Sequence, residues 1–380
     1  MTKEKNISTP VARQIIIAGG GTGGHIFPAI AIAQAILKKM PDAEFLFVGA
    51  RGKMEMEKVP KAGFRIEGLS IAGFNRSSLL KNWSLPFKLV MSFFQVRSIL
   101  KKFSPHAVIG VGGYSSFPVL RYAQARGIPT FIHESNSFAG KSNILLGKKA
   151  KKVFVATTGM EKFFPSEKLV VTGNPVRSVI SQNRKTREEG IRFFGLDAFK
   201  KTILSVGGSL GAKTINEAID KQLDAFEQNG LQLIWQTGDG FAARAKEHCA
   251  GRKNIWTGAF IPEMEYAFAA ADMVISRAGA MATAELCICG KPSVLVPYPH
   301  AAEDHQTANA MNLVNQNAAI MVKDAAAGEQ LVNQVIALAK NEALQQQLGK
   351  NIAELGIRDA DDRIAKEIFQ ELHITTGEHL

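Results

Sequence analysis

Three glycine-rich turns hold the residues whose types and spacing could do chemistry. The first is Gly19-Gly20-Gly21-Thr22-Gly23-Gly24, followed at once by His25. The second is Gly110-Val111-Gly112-Gly113-Tyr114, and the third is Gly207-Gly208-Ser209-Leu210-Gly211-Ala212. Each follows a short β-rich apolar run, and the first and third lead into helix-length segments. Glycine lets a chain turn tightly and lets its backbone approach a ligand closely. The helix that follows presents N–H groups and a positive dipole end to an anion. Any one such turn could equally be a tight turn with no ligand. The third is not a Walker loop, because Gly-Lys-Ser/Thr is absent. Nor is it a clean dinucleotide fingerprint, so kinase and nicotinamide chemistry both lose support. Three turns at strand ends suggest a site that handles more than one phosphorylated group.

Beside these turns stand side chains that could move a proton. His25 closes the first turn, and imidazole titrates near neutrality, which makes it the leading candidate for a general base. The competing reading is that it only hydrogen-bonds a substrate. Glu134 is the second candidate base. Asp359, Asp361 and Asp362 cluster as a metal site would, but they precede the helical run 363–372, and capping of that helix is the better reading. His300 and His305 bracket Glu303 and Asp304 without zinc spacing. No metal and no cofactor are expected. Cys249, Cys287 and Cys289 have no framework spacing and read as small buried residues.

The elements that must position these groups alternate regularly. Apolar, β-rich runs fall at 15–18, 45–48, 107–111, 130–133, 152–155 and 169–172, then at 202–206, 232–236, 255–258, 273–276, 293–297 and 318–322. Helix-length segments separate most of them. That alternation implies parallel sheets covered by helices on both faces. The two series look like two copies of one plan, each opening on a strand and a glycine turn. Two Rossmann-like domains would leave a cleft at the carboxyl ends of both sheets, where ligands bind in open α/β folds. A length of 380 residues suits two domains. The boundary falls at Gly173-Asn174-Pro175, giving domains 1–173 and 174–358, with 359–380 a terminal helix that could pack back on the first.

A composition 46% hydrophobic and 21% charged is that of a globular chain. The net charge of +12 favours polyanionic partners: nucleic acid, anionic lipid or phosphorylated substrates. No run is long and apolar enough to span a bilayer, and 15–18 is too short for a signal-peptide core. A cytoplasmic protein able to touch a membrane is the expectation.

Several blocks, taken in order, resemble one family. They are Gly20-Gly21-Thr22-Gly23-Gly24-His25-Ile26-Phe27-Pro28-Ala29, Gly112-Gly113-Tyr114-Ser115-Ser116, His133-Glu134-Ser135-Asn136, Gly173-Asn174-Pro175-Val176-Arg177 and Gly207 to Ala212. Ser276-Arg277-Ala278-Gly279-Ala280 through Glu285, Pro297-Tyr298-Pro299-His300 and Asp304-His305-Gln306-Thr307-Ala308-Asn309-Ala310 continue the series. This set is similar to that of the bacterial transferases that move N-acetylglucosamine from UDP onto the lipid-linked muramyl-pentapeptide of the cell wall. The resemblance implies an α/β chain of GT-B fold: two Rossmann-like domains with parallel sheets facing an interdomain cleft, the second holding the donor.

The same resemblance implies roles for matching positions. Ser209 and its turn would hold the donor diphosphate, Glu285 the ribose hydroxyls, and the Ile261 backbone the uracil edge. Arg177 would lie near the nucleotide. His305 and Gln306 would meet the sugar hydroxyls, with Thr22 and Asn136 reaching across from the first domain and Gly23 and Gly24 counted with the donor site as well. Gly23, Gly24, Gly112, Gly113 and Tyr114 would receive the acceptor diphosphate. Plainer readings stand beside these: Glu285 as a solvated helix residue, Arg177 as a structural ion-pair partner, Ser209 as a helix cap. Ala282 stands where relatives often carry a hydroxyl. The family inverts the anomeric centre in a single displacement onto the muramyl 4-hydroxyl, without a metal.

The acceptor's polyprenyl tail would require the enzyme to sit on the cytoplasmic face of the membrane. Phe74, Leu79, Leu80, Trp83 and Phe87 are mixed with Arg76, Lys81 and Lys88 over 74–88, as suits an interfacial patch on anionic lipid. A buried helix with snorkelling lysines would explain the same mixture. The run from there to Phe103 reads as core, with Lys88, Ser92, Gln95 and Lys102 forming a narrow polar stripe. A UDP-sugar epimerase or hydrolase of the same fold is the first alternative. It has no obvious use for the Gly112-Gly113-Tyr114 turn or the apolar-basic segment. A nucleic-acid-binding protein is the second, and it leaves the glycine turns unexplained.

Overall fold

Ile15 and Ile17 pack into one hydrophobic cluster, while Ile16 and Ala18 pack into another. That is the two-residue period of a strand buried on both faces, the signature of a parallel sheet. Ile203 and Leu204 divide in the same way between the two clusters of the second half.

The computed structural model describes residues 14–71, 83, 85–208 and 210–374. Phe74, Arg76, Leu79, Leu80, Lys81 and Ser209 lie outside the described residues. The chain divides into two compact units, one within Met1–Ser135, Ala139–Pro175 and Asp359–Leu380, the other Asn136–Phe138 with Val176–Arg358. The crossing therefore falls at Pro175–Val176 rather than after Gly173.

The first unit is built on β1 (Gln14–Ala18), β2 (Glu44–Ala50), β3 (Arg65–Leu69), β4 (Ala107–Gly110), β5 (Thr130–Glu134), β6 (Lys152–Val155) and β7 (Leu169–Val171). The second has β8 (Thr202–Val206), β9 (Gln232–Gln236), β10 (Ile255–Gly258), β11 (Met273–Ser276), β12 (Ser293–Leu295) and β13 (Ile320–Met321). Their orders are β3-β2-β1-β4-β5-β6-β7 and β10-β9-β8-β11-β12-β13. The pairs of both sheets are parallel. Strand order reverses between β1 and β4 in one unit and between β8 and β11 in the other, so each unit is a doubly wound Rossmann-like fold. β3 was not among the sequence runs. It is an edge strand, and its residues Arg-Ile-Glu-Gly-Leu are half polar because an edge needs less apolar cover.

The helix Ala360–Glu371 belongs to the first unit. Its Ile364, Ala365, Ile368 and Phe369 share one core with Ile32 and Ile36 of the helix Gly23–Lys39. Lys39 lies 4.0 Å from Asp362, and Lys152 lies 3.5 Å from Glu371. Asp359 occupies the N-cap position but makes no cap bond; its carboxylate accepts instead from Arg363 at 2.9 Å. Only that side-chain bond departs from the capping reading: the group does sit at the helix start, with Asp361 and Asp362 in its first turn.

The helix Leu85–Phe103 also departs from expectation. Ser92 is buried with Val96, Leu100 and Phe103, while Phe87, Val90, Met91 and Phe94 face outward. Ser92 and Gln95 turn inward, and Gln95 does so because the chain leaving β3 needs partners. Gln95 accepts from Ser70 N at 2.9 Å and donates to Ser70 Oγ at 3.2 Å. Of the expected stripe, Ser92 and Gln95 thus turn inward while Lys88 and Lys102 stay exposed, and the outer face mixes the apolar Phe87, Val90, Met91 and Phe94 with these lysines and Arg97. No helix among the described residues is long and apolar enough to cross a membrane.

Candidate active site

In the first unit the turn after β1 and the turn after β4 meet at the switch point. Gly20 N donates to Gly112 O at 3.3 Å. Close approach explains the glycines: a Cβ on Gly113 would fall 2.5 Å from Gly20 O, and one on Gly112 would fall 2.8 Å from His25 Nε2. The helix Gly23–Lys39 begins in this turn because Ile26, Ala29, Ile32, Ala33 and Ile36 form one apolar stripe. Thr22 is its N-cap residue and makes no side-chain cap bond, and the first turn holds no acidic residue. The positive end of the helix is left uncapped by any side chain, as an anion site requires. Pro28 lacks the N–H that would return to Gly24 O, and Ser135 Oγ lies 3.5 Å from that carbonyl.

His25 Nδ1 lies 3.0 Å from Gly20 O and 3.4 Å from Thr22 Oγ1. A carbonyl only accepts, so Nδ1 carries the proton and the basic lone pair belongs to Nε2. That is the tautomer a general base needs. Tyr114 closes the same surface; burial, then the charge of Glu55, pushes its phenol pKa up. His133 is buried in β5, and burial, assisted by nearby His25, pushes its pKa down to about 4.

Glu134 is 3% exposed, and its Oε2 accepts from Gly140 N at 3.1 Å and Asn143 Nδ2 at 2.9 Å. Its Oε2 braces the start of the helix Lys141–Gly147, where a carboxylate favours the dipole.

In the second unit the turn after β8 repeats the plan. Gly211 N donates to Gly208 O at 2.9 Å, and a Cβ on Gly211 would fall 1.9 Å from Thr237 O. The helix Lys213–Asp220 follows, with Ala212 at its N-cap and no side-chain cap. The cap position is thus Ala212, three residues beyond Ser209 in the numbering. After β11, Gly279 opens the helix Ala280–Cys289, again without a side-chain cap. Glu285 lies on that helix, 9% exposed. Arg177 Nε and Nη2 both reach its Oε1 at 2.9 Å. Two expected donor residues therefore meet each other. Ile261 buries its side chain in the core.

The segment Tyr298–His305 carries two consecutive left-handed residues, Glu303 and Asp304, immediately before the helix His305–Val314. Backbone strain of this kind persists where surrounding contacts fix it. Gln306 Oε1 accepts from Tyr298 N at 2.9 Å, and His305 Nδ1 donates to Ala302 O. Asn136 groups with the second unit, not the first: Asn309 Nδ2 donates to its Oδ1 at 3.2 Å and to Ala278 O at 3.1 Å. Asn136 therefore sits in a short stretch, Asn136–Phe138, that groups with the second unit although the segments on either side of it belong to the first. Trp83 is 85% exposed and Phe87 69% exposed, with Lys88 exposed beside them.

Sequence reasoning missed several supports. Glu55 is 1% exposed and accepts from Gly21 N at 2.9 Å and Ala50 N at 3.0 Å. Arg277 donates to Val296 O at 3.0 Å and to Asp324, whose other oxygen accepts from Thr214 at 3.1 Å. That network joins the ends of β11 and β12 to the helix after β8. Asn216 donates to Thr237 O at 2.7 Å and accepts from Trp235 Nε1 at 3.0 Å, holding the carbonyl against which Gly211 packs. Among the described residues, no three His, Cys, Asp or Glu side chains group so as to hold a metal ion.

Comparison with known proteins agrees with this geometry. Residues 15–155 match the glycosyltransferase family 28 N-terminal domain, and residues 202–364 match its C-terminal domain. A relative from Phocaeicola vulgatus is 52% identical over 94% of this chain and 96% of its own length. One from Parabacteroides distasonis is 49% identical over 94% and 98%. Both are named UDP-N-acetylglucosamine–N-acetylmuramyl-(pentapeptide) pyrophosphoryl-undecaprenol N-acetylglucosamine transferase. The crystal structure of Acinetobacter baumannii MurG is similar with a TM-score of 0.78 and 28% identity, over 94% of this chain and 99% of that one. The chain belongs to glycosyltransferase family 28.

Proposed function

We infer that this protein transfers N-acetylglucosamine from UDP-N-acetylglucosamine to the 4-hydroxyl of the muramyl sugar of undecaprenyl-pyrophosphoryl-muramyl-pentapeptide, a step of peptidoglycan synthesis. The observation that carries the reading is the near-full-length similarity to relatives bearing that transferase name. The second unit holds the donor: its uncapped helix starts and Arg177 favour the diphosphate, Glu285 the ribose, the Ile261 backbone the uracil, and His305 and Gln306 the sugar. The turns of the first unit, Gly23, Gly24, Gly112, Gly113 and Tyr114, receive the acceptor diphosphate.

In the reaction the acceptor oxygen forms its bond to the anomeric carbon as the bond from that carbon to the UDP oxygen breaks. UDP leaves with the electron pair, and the hydroxyl proton passes to His25 Nε2. Helix N-termini and Arg177 stabilise the departing charge, and no metal is assigned a step. The exposed Trp83, Phe87 and Lys88, with the exposed Val90, Met91 and Phe94 of the helix Leu85–Phe103, fit a peripheral contact with an anionic cytoplasmic membrane surface. Incubation with UDP-N-acetylglucosamine and lipid-linked muramyl-pentapeptide tests the reading: mass spectrometry should find the lipid product heavier by one N-acetylhexosamine. An unmodified lipid acceptor would overturn it.

A further inference from the structure

Glu55 is a buried carboxylate to which the proposed chemistry assigns nothing. The chain makes room for it with two glycines. A Cβ on Gly20 would fall 2.4 Å from its Cδ, and one on Gly49 would fall 2.5 Å from its Cγ. Its Oε2 accepts from Gly21 N at 2.9 Å. His25 Nδ1 donates to Gly20 O at 3.0 Å. Gly20 C=O and Gly21 N–H are the two ends of one peptide group. The order in space is therefore carboxylate, peptide N–H, peptide C=O, imidazole N–H.

We propose that Glu55 is a positioning residue for His25, acting through the Gly20–Gly21 peptide. The peptide is planar, so fixing its N–H fixes the direction of its carbonyl. A charge-assisted hydrogen bond at the N–H also draws electron density towards the carbonyl oxygen, which becomes a better acceptor. The oxygen then holds His25 as the Nδ1–H tautomer, directs Nε2 towards the acceptor hydroxyl and stabilises the imidazolium formed when Nε2 takes the proton. A histidine base with a carboxylate behind it is a known catalytic arrangement; here a peptide stands between the two. The carboxylate is held at its other oxygen by Ala50 N at 3.0 Å, at the end of β2, so the sheet itself anchors the relay. The titratable groups that face this site are Glu55 from the helix Glu55–Lys61, Tyr114 from the turn after β4, and His133 from β5. His133 stays neutral down to about pH 4, so its charging does not overlap the ordinary range of an imidazole base.

The inference rests on His25 being the base, and the experiment separates the two claims. The first measurement needs no variant. With 15N-histidine in the intact protein, the His25 signal, assigned by its loss in His25→Gln, should show the Nδ1–H tautomer at neutral pH. An Nε2–H tautomer overturns the relay. The second measurement is transfer rate against pH. His25→Gln should lower kcat by roughly 10²- to 10⁴-fold; unchanged kcat would sink the base reading itself. Glu55→Gln, with melting temperature and UDP affinity as controls for the fold, should lower kcat by roughly 10- to 100-fold and move the acid limb of kcat/KM to lower pH. Glu55→Asp, which keeps the charge, should leave that limb near its original place. In the double variant the loss should be no greater than that of His25→Gln alone. A purely structural Glu55 would instead give losses that add in the double variant and a limb that does not move. Either result overturns the proposal while leaving the base reading intact.

Discussion

Glu285 and Arg177 show how one residue can satisfy two readings. The sequence offered Glu285 as a ribose ligand and Arg177 as either a nucleotide ligand or an ion-pair partner; the structure brings the two together at 2.9 Å. Both Arg177 contacts fall on Oε1, so the pairing is compatible with ribose binding. Glu285→Ala should weaken UDP binding by about 1–3 kcal/mol, the range for hydrogen bonds to a charged group. Calorimetry checks this; unchanged affinity in a folded variant would leave the pair a purely structural one. His133 gives a pH dependence. Its folded pKa, about 4, lies below the ordinary 6.5. The unfolded chain thus takes up the proton first as pH falls. Its contribution is complete above about 6.5, declines below that and is gone near 4, amounting to about 3 kcal/mol. Urea titrations at several pH values should show that decline, and His133→Gln should flatten it. His25 and Glu285 could be singled out from the sequence because each sits in a dense local motif. Glu55 was not, because its partner Gly21 is 34 positions away and only the fold brings them together.

At the scale of elements, the glycine turns were legible for a local reason: strand, glycines and helix follow one another without a break in the sequence. Their stiffness was not. Gly211 has its backbone against Thr237 O, held in place by Asn216, so Gly211→Ala forces a clash at 1.9 Å and a left-handed backbone on alanine. It should cost about 1–3 kcal/mol of stability and weaken UDP binding with it, read by thermal melting and calorimetry. An alanine variant with parental melting and affinity would contradict the close approach. The stripe on the helix Leu85–Phe103 was half misread, because periodicity does not say which polar residues face out: Lys88 and Lys102 do, Ser92 and Gln95 do not. Gln95 turns inward to serve Ser70, and Phe94 is left 62% exposed. Trp83 and Phe87 are exposed, so changing both to Ser should leave the fold intact. It should lower liposome binding even at high salt, since apolar insertion is not screened. Lys88→Gln should remove about 1 kcal/mol, only on anionic vesicles and mainly at low salt. Binding equal to the parent in a flotation assay would move the membrane contact to another surface.

At the scale of the whole molecule, duplication was the most legible feature, because two series of apolar runs each open on a glycine turn and each folds with the order reversing at that turn. The particular contacts between segments far apart in sequence were not legible. Asn136–Phe138 join the second unit from within the stretch that builds the first, and residues after Asp359 return to the first. The return of the terminal helix was expected from the sequence as a helix after the second domain, but the residues it packs against, Ile32 and Ile36, and the Asn309 that meets Asn136, come only from the fold. The central claim, transfer of a sugar between two substrates, also belongs to this scale. It is tested most directly by following the label of UDP-N-acetylglucosamine, radioactive in the sugar, in the presence of lipid-linked muramyl-pentapeptide and EDTA. The expected result is label in the lipid-linked disaccharide, one UDP released for each sugar moved, and no loss of rate to the chelator. Label released as free sugar, or retained in an altered UDP-sugar with the lipid unlabelled, would contradict it.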